Sequence, residues 1–376
     1  MEYIKFSNFI TKTQYGYTAE ATSIDGGDVK YLRITDIVPY FVDKDRVPYC
    51  KISDEKKKQY LVEKDDLLIA RTGATTGYNL IVPNGFDNYI FASYLVRYYY
   101  RKEVLFPQYL KYVLKSKHYY CFVNNYIGGS AQPGMNPKSF GRFEVPYVDY
   151  ESQKRIASVL YSYDCLIENN NKRIKALEKI AENLYKEWFV RFRFPGFENA
   201  EFENGIPKGW THCRIKELFE IKYGKDHKSI AEGKIPIFGS GGIMRYGDKA
   251  IYSNESVLIP RKGTLNNILY VNEPFWTVDT MFYTILLKPN FAKYAYYTLA
   301  NVDMESYNSG AALPSMTTDI LYHLRILVPD NRTLKLFDEF LSDINIQKKR
   351  IEVINNNLTK QRDLLLPRLM SGKLEV

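Results

Sequence analysis

The sequence is poor in the residues that build metal centres and nucleophilic sites. Only four histidines (His118, His212, His227, His323) and four cysteines (Cys50, Cys121, Cys165, Cys213) occur in 376 residues. They are scattered and form no Cys-x-x-Cys pair, whereas a structural zinc site needs ligands paired at short spacing. The adjacent His212-Cys213 reads as packing, and no metal site is expected. No stretch approaches 18 consecutive apolar residues, so no transmembrane helix is expected. The start, Met1-Glu2-Tyr3-Ile4-Lys5, has no basic region followed by an apolar run, which points to a cytoplasmic protein. There is no GxxxxGK[ST] phosphate loop, and Gly239-Ser240-Gly241-Gly242 lacks the strand–turn–helix setting of a dinucleotide site. An adenine methyltransferase would carry an Asn/Asp-Pro-Pro-aromatic motif, and Asn136-Pro137-Lys138-Ser139-Phe140 does not fit. A nuclease would cluster acids and a lysine around a metal; Glu55-Lys56-Lys57 is one such fragment, and it reads as a solvated face. No catalytic residue is therefore expected.

What is present is ordinary globular material with a basic excess. Hydrophobic residues make up 45% and charged residues 25% of the chain, enough for a sizeable core, and the length suggests two or three domains. The net charge of +9 favours a polyanionic partner, most simply nucleic acid. Tyrosine is abundant at 33 residues, a side chain with a flat apolar body and a polar tip that suits both cores and interfaces.

The chain is written twice. Gly129-Ser130-Ala131-Gln132-Pro133-Gly134-Met135 and Gly310-Ala311-Ala312-Leu313-Pro314-Ser315-Met316 share glycine, proline and methionine at a constant offset of 181. Upstream, Asp66–Gly73 and Ser256–Gly263 are both apolar runs ending in Arg-x-Gly, 190 residues apart. Downstream, Val145-Pro146 and Val328-Pro329 each lead into a helical stretch. A period this long is no solenoid. It is a duplicated unit of one mixed domain plus one long helix. The domain part reads mostly as strands, as in Val29–Ile34, Leu67–Ala70, Ile90–Tyr100, Val257–Ile259 and Thr280–Leu287, with a helical piece over Gln108–Lys115.

The long helices carry heptads. Leu160, Tyr163, Ile167, Asn170, Ile174, Leu177, Ala181, Leu184 and Trp188 follow one another at alternating steps of three and four. Adding 177 gives Phe340, Ile344, Gln347, Ile351, Ile354, Leu358, Gln361 and Leu365, with Gln347 opposite Asn170 in the repeat alignment. A heptad seam wants a partner, and the chain supplies one. The expected fold is α+β, with two mixed domains and two long helices forming an intramolecular antiparallel coiled coil. The expected boundaries are a first domain over 1–150, a first helix over 151–193, a linker over 194–208, a second domain over 209–330 and a second helix over 331–376 that stops being helical before Pro367.

Two glycine-rich, strand-terminal loops carry groups that suit nucleic acid. Arginine and lysine can bind guanine or phosphate, and asparagine and glutamine can pair with adenine. The candidate contacts are Arg71, Thr72, Thr75, Thr76, Tyr78 and Asn79 in the first loop. Arg261, Lys262, Thr264, Asn266 and Asn267 form the second set, and Ser130, Gln132 and Ser309 lie in the repeated Gly-Pro-Met loops. Two rival classes also follow from the residues: a basic coiled-coil scaffold, and a nuclease or methyltransferase of another class.

Several motifs, in this order, resemble the specificity (S) subunits of type I restriction-modification systems. They are Gly205-Ile206-Pro207-Lys208-Gly209-Trp210, the Gly-Ser-Ala-Gln-Pro-Gly-Met run, and Glu151-Ser152-Gln153-Lys154-Arg155-Ile156-Ala157. The last two are Leu184-Tyr185-Lys186-Glu187-Trp188-Phe189 and Leu364-Leu365-Leu366-Pro367-Arg368-Leu369-Met370-Ser371-Gly372. The resemblance spans essentially the whole chain. It departs at the start, where the first repeat lacks Pro-x-Gly-Trp, and at Asn331-Arg332-Thr333-Leu334, which lacks Gln-Lys-x-Ile. It implies a non-catalytic, DNA-reading subunit in which each domain recognises half of a bipartite, non-palindromic sequence. It also implies partners: double-stranded DNA, two methyltransferase (M) subunits that use S-adenosylmethionine, and restriction (R) subunits that use ATP and Mg. The seam from Leu160 to Trp188, at about 1.5 Å per residue, spans roughly 40 Å, close to a DNA turn of about 34 Å.

Overall fold

The computed structural model describes residues 2–22, 27–38, 40–127, 134–308 and 314–370. The chain divides into two compact units, Met1–Lys172 with Glu352–Val376, and Arg173–Ile351. Among the described residues no helix is long and apolar enough to cross a membrane.

The first unit contains β1 (Glu2–Lys5), β2 (Ile10–Tyr15), β3 (Val29–Leu32), β4 (Tyr49–Cys50), β5 (Leu67–Ala70), β6 (Asn79–Ile81), β7 (Tyr89–Phe91), β8 (Leu95–Tyr100) and β9 (Glu144–Tyr147). They pair as a four-stranded sheet β2-β8-β5-β6, a three-stranded sheet β4-β3-β7 and the pair β1-β9. All pairings are antiparallel except β3 with β7. Leu67–Ala70 is apolar at every position because β5 lies between two strands and all four residues are buried. The run expected as one strand over 90–100 is two: β7 ends at Phe91, and Ala92-Ser93-Tyr94 turn the chain before β8.

The second unit repeats this plan. After a small hairpin, β10 (Phe202–Glu203) with β11 (Ile206–Pro207), come β12 (Thr211–Arg214), β13 (Phe219–Tyr223), β14 (Glu232–Gly239), β15 (Gly242–Gly247), β16 (Ser256–Pro260), β17 (Leu269–Val271), β18 (Trp276–Thr277), β19 (Met281–Leu286) and β20 (Arg325–Val328). The sheets are β13-β19-β16-β17, β15-β14-β18 and β12-β20, with β14–β18 the parallel pair. The duplicated sequence is therefore a duplicated topology. The segment 194–208, expected as a linker, is folded. Phe194 is buried and packs on Trp210 at 5.2 Å, because two aromatic rings gain more from burial than a free tether would retain in entropy.

Each long helix starts directly after a closing strand, on an aspartate cap. The first runs over Tyr150–Tyr185 and ends in a π-helical turn, Lys186–Val190. Asp149 accepts the Ser152 amide at 2.9 Å, and for the second helix, Asn331–Met370, Asp330 accepts the amides of Arg332 and Thr333 at 2.9 Å each. Gln153 of the Glu-Ser-Gln motif is fully buried. Its amide donates to the carbonyls of Val104 and Val148 and accepts the Phe106 N–H, so it brackets the helix to the domain.

In both units the helices pair antiparallel. In the first, Asp164 meets Arg362 at 2.9 Å and Asn170 meets Asn355 at 2.8 Å. In the second, Glu178 meets Lys348 at 2.7 Å and the Trp188 ring lies 5.8 Å from Phe337. The fold is α+β, with two mixed domains and two long helices paired within the chain. The seam needs correction along the second helix, where Phe340 is 52% exposed and Gln347 is exposed as well. Leu160, Ile167, Trp188 and Ile351 are buried, and Ile174, Leu177, Leu184, Ile344, Leu358 and Leu365 are half-buried, but Ile354 is 49% exposed. The inward positions there are Asn355 and Arg362, not Ile354 and Gln361. A step of four replaces one of three, and the polar residues face inward because Asn170 and Asp164 receive them. Helix two also runs through Pro367. Leu366 and Leu369, both buried in the first unit's core, hold the last turn in place where proline removes one amide donor.

Candidate nucleic-acid interface

The two Arg-x-Gly loops leave the ends of β5 and β16, equivalent positions of the two units. In the first unit Arg71 is held from four directions. Its amide donates to the Tyr94 carbonyl at 3.1 Å, and its carbonyl accepts the Met135 amide at 2.8 Å. Its Nε donates to the Ser93 carbonyl at 3.3 Å, and the guanidinium lies 5.1 Å from the centroid of the Tyr15 ring. In the second unit the Arg261 amide donates to Thr280 at 2.8 Å and its carbonyl accepts the Met316 amide at 2.8 Å. Its Nη1 donates to the Asp279 carbonyl at 3.2 Å, and the guanidinium lies 5.4 Å from the Tyr223 centroid. Met135 and Met316 are buried and fix the returning strands; Thr72 bridges to Gly134 and Lys262 to Ser315. Among the described residues neither arginine has a carboxylate partner, so each keeps its charge available to an anionic or acceptor-rich ligand.

The remaining candidates separate by burial. Thr72 and Thr75 are half-buried beside the exposed Gly73 and Ala74. Thr76 is buried and its hydroxyl donates to the Gly73 carbonyl at 2.7 Å, tightening a turn in which Gly73 and Gly77 have φ of +77° and +89°. Asn79 is a correction. It is 1% exposed, and its amide donates to the carbonyls of Gly77 and Leu114, so it ties the loop to the core and reads no base. Tyr78 is half-buried against Tyr120 at 5.9 Å. In the second loop Lys262 is half-buried and Thr264 exposed. Asn266 accepts the Met304 amide at 2.8 Å, and Asn267 donates to the Ser240 carbonyl at 2.7 Å, so both side chains are already bound to the protein. Ser130, Gln132 and Ser309 lie outside the described residues.

Sequence reading missed Tyr15 and Tyr223, which are 50% and 51% exposed at the ends of β2 and β13. The available signal was the dipeptide Tyr-Gly, at 15–16 and 223–224. A Cβ on Gly16 would stand 2.2 Å from the Ala92 carbonyl oxygen, and one on Gly224 2.1 Å from that of Val278. Only glycine lets the strand pass that close. Among the described residues no group of three His, Cys, Asp or Glu is placed to hold a metal.

The type I restriction modification DNA specificity domain family matches this chain over residues 9–179 and again over 207–356. The chain is 25% identical to the Type I restriction enzyme MjaIX specificity subunit of Methanocaldococcus jannaschii, over 93% of this chain and 88% of that one. It is 20% identical to the HindI specificity subunit of Haemophilus influenzae, over 87% and 91%. A crystal structure of the type I restriction-modification S subunit from M. genitalium shares the fold, with a TM-score of 0.54, 16% identity, and coverage of 98% of this chain and 95% of that one. Matched twice by one domain family, once in each of its two units, the chain belongs to the type I restriction modification DNA specificity family.

Proposed function

We propose that this chain is the DNA sequence-recognition subunit of a type I restriction-modification complex, reading a bipartite, non-palindromic site. Its part is recognition and not catalysis, as the family and the specificity subunits related to it indicate. The observation that carries the reading is the paired Arg71 and Arg261 loops. The same constellation stands at the same place in two units that share a topology but little sequence. Each unit reads one half-site with its own loop. The parts to exchange are the two domains, 1–150 and 209–330, with the helices Tyr150–Tyr185 and Asn331–Met370 left in place. Double-stranded DNA is the ligand, and the partners are two methyltransferase subunits and restriction subunits. S-adenosylmethionine, ATP and Mg act in those partners, and this chain holds no cofactor. Among the loop residues Arg71, Thr72, Thr75, Arg261, Lys262 and Thr264 make the contacts.

Methylome sequencing tests this directly. A strain expressing the chain with its methyltransferase subunit acquires methylation at one two-part sequence. Exchanging residues 1–150 for the matching domain of another specificity subunit changes one half of that sequence and leaves the other. A change in both halves would refute a division of reading between the units.

A further inference from the structure

We infer that Tyr15 and Tyr223 are positioning residues that hold Arg71 and Arg261 flat, so that each arginine reads one guanine in its own half of the DNA site. The inference rests on the recognition reading above and goes further, naming the base and the residues that orient its reader.

An arginine on a loop ordinarily samples many rotamers, and ordering it costs side-chain entropy. Here that ordering is built in before any ligand arrives. The ring beneath, at 5.1 and 5.4 Å, supplies a cation–π platform, and one carbonyl, of Ser93 or Asp279, pins one guanidinium nitrogen. The main chain is pinned on both sides, by Tyr94 and Met135 in one unit and by Thr280 and Met316 in the other. The platform itself is fixed: Gly16 donates to the Leu95 carbonyl and Gly224 to that of Met281, each immediately after the tyrosine.

The pins differ in a way that bears on chemistry. Arg71 uses Nε on Ser93, which leaves its end edge, Nη1 with Nη2, for a ligand. Arg261 uses Nη1 on Asp279, which leaves the side edge, Nε with Nη2. Either edge offers two parallel N–H donors, the complement of the O6 and N7 acceptors on the major-groove edge of guanine. Two phosphate oxygens would accept the same fork; what favours a base edge is that each fork is held in one orientation before binding. The two units thus present the same fork in two orientations, in keeping with half-sites that differ.

The test uses the complex assembled with its methyltransferase subunits and a random-sequence DNA library, sequenced after selection. Arg71→Lys keeps the charge and loses the fork; it should relax one guanine position in one half-site, with discrimination falling roughly five- to a hundredfold. Arg261→Lys should do the same in the other half only. Tyr15→Ala and Tyr223→Ala should relax those same positions, and Tyr15→Phe and Tyr223→Phe should retain them, because the ring and not the hydroxyl carries the guanidinium. Lysine variants that weaken all sequences alike would show a phosphate contact and overturn the inference while leaving sequence recognition standing. Full guanine preference in the folded alanine variants would also overturn it, by showing that the rings position nothing. A wild-type complex that selects no sequence would overturn the recognition reading and this inference together.

Discussion

Lys115 sits half-buried with two other cations, Lys111 and Arg362, and a single buried carboxylate, Asp164, around it. Burial, then repulsion from Lys111 and Arg362, lowers its ammonium pKa to about 8, and Asp164 only partly offsets this. An unfolded lysine titrates near 10.4. Between those values the unfolded chain binds more protons than the folded one, so this group's contribution to stability rises with pH across that window. Lys115→Met removes the titrating group. Its stability relative to wild type should therefore decline steadily from pH 8 to about pH 10 in chemical unfolding; a flat difference would contradict the assignment. On the DNA side, Arg71→Ala and Arg261→Ala should each lose about 1–3 kcal/mol of specific binding, read by titration against the mapped site. At this scale the sequence revealed residue types but not orientation. Asn79 and Arg71 occupy one glycine-rich loop, and composition gives both as readers. The Leu114 carbonyl takes the Asn79 side chain inward, whereas the Arg71 guanidinium lies over the half-exposed Tyr15 ring. Tyr15 is 56 residues from Arg71 in sequence, beyond the reach of any local pattern.

The paired helices are held by polar groups as much as by the apolar seam. Asp164 accepts from Lys111 at 2.6 Å, Tyr112 at 2.9 Å, Tyr40 at 3.1 Å and Arg362 at 2.9 Å, all in the first unit. Burial first, and then this carboxylate, pushes the hydroxyl pKa values of Tyr40 and Tyr112 far above the ordinary tyrosine range. Asp164→Ala leaves the half-buried Lys111 without a carboxylate and Arg362 with Asp363 alone, and should destabilise the first unit by about 2–4 kcal/mol in urea unfolding. A loss below about 1 kcal/mol would mean that the cluster is solvated and weak. Heptad periodicity identified both helices and most of the seam, because Leu160, Ile167 and Trp188 follow the apolar rule. It failed at Ile354, where an apolar side chain faces out and Asn355 faces in. A hydrophobic template cannot anticipate an amide whose partners, Asn170 and Asn171, lie on the other helix.

At the scale of the molecule, duplication was the most legible feature. Repeated Gly-Pro-Met and Arg-x-Gly motifs correspond to two units with matching sheets. What the repeat could not show is that the first unit is discontinuous, taking Glu352–Val376 from beyond the whole of the second. A chain stopped after Ile351 keeps every residue of the second unit and takes Arg362, Leu366 and Leu369 from the first. Limited proteolysis should then spare Arg173–Ile351 and degrade the strands of the first unit; equal resistance of both would show that the returning helix is dispensable.

This discontinuity also sets an order of events during synthesis. The ribosome completes the second unit while the first still lacks the helix that covers Leu160 and neutralises Asp164. For the time needed to make residues 352–370 the earlier-made half waits, open and with a buried acid short of one cation, for the part made last. A frameshift or premature stop between Glu352 and Arg362 thus yields a chain whose later-made unit is complete and whose earlier-made unit is not.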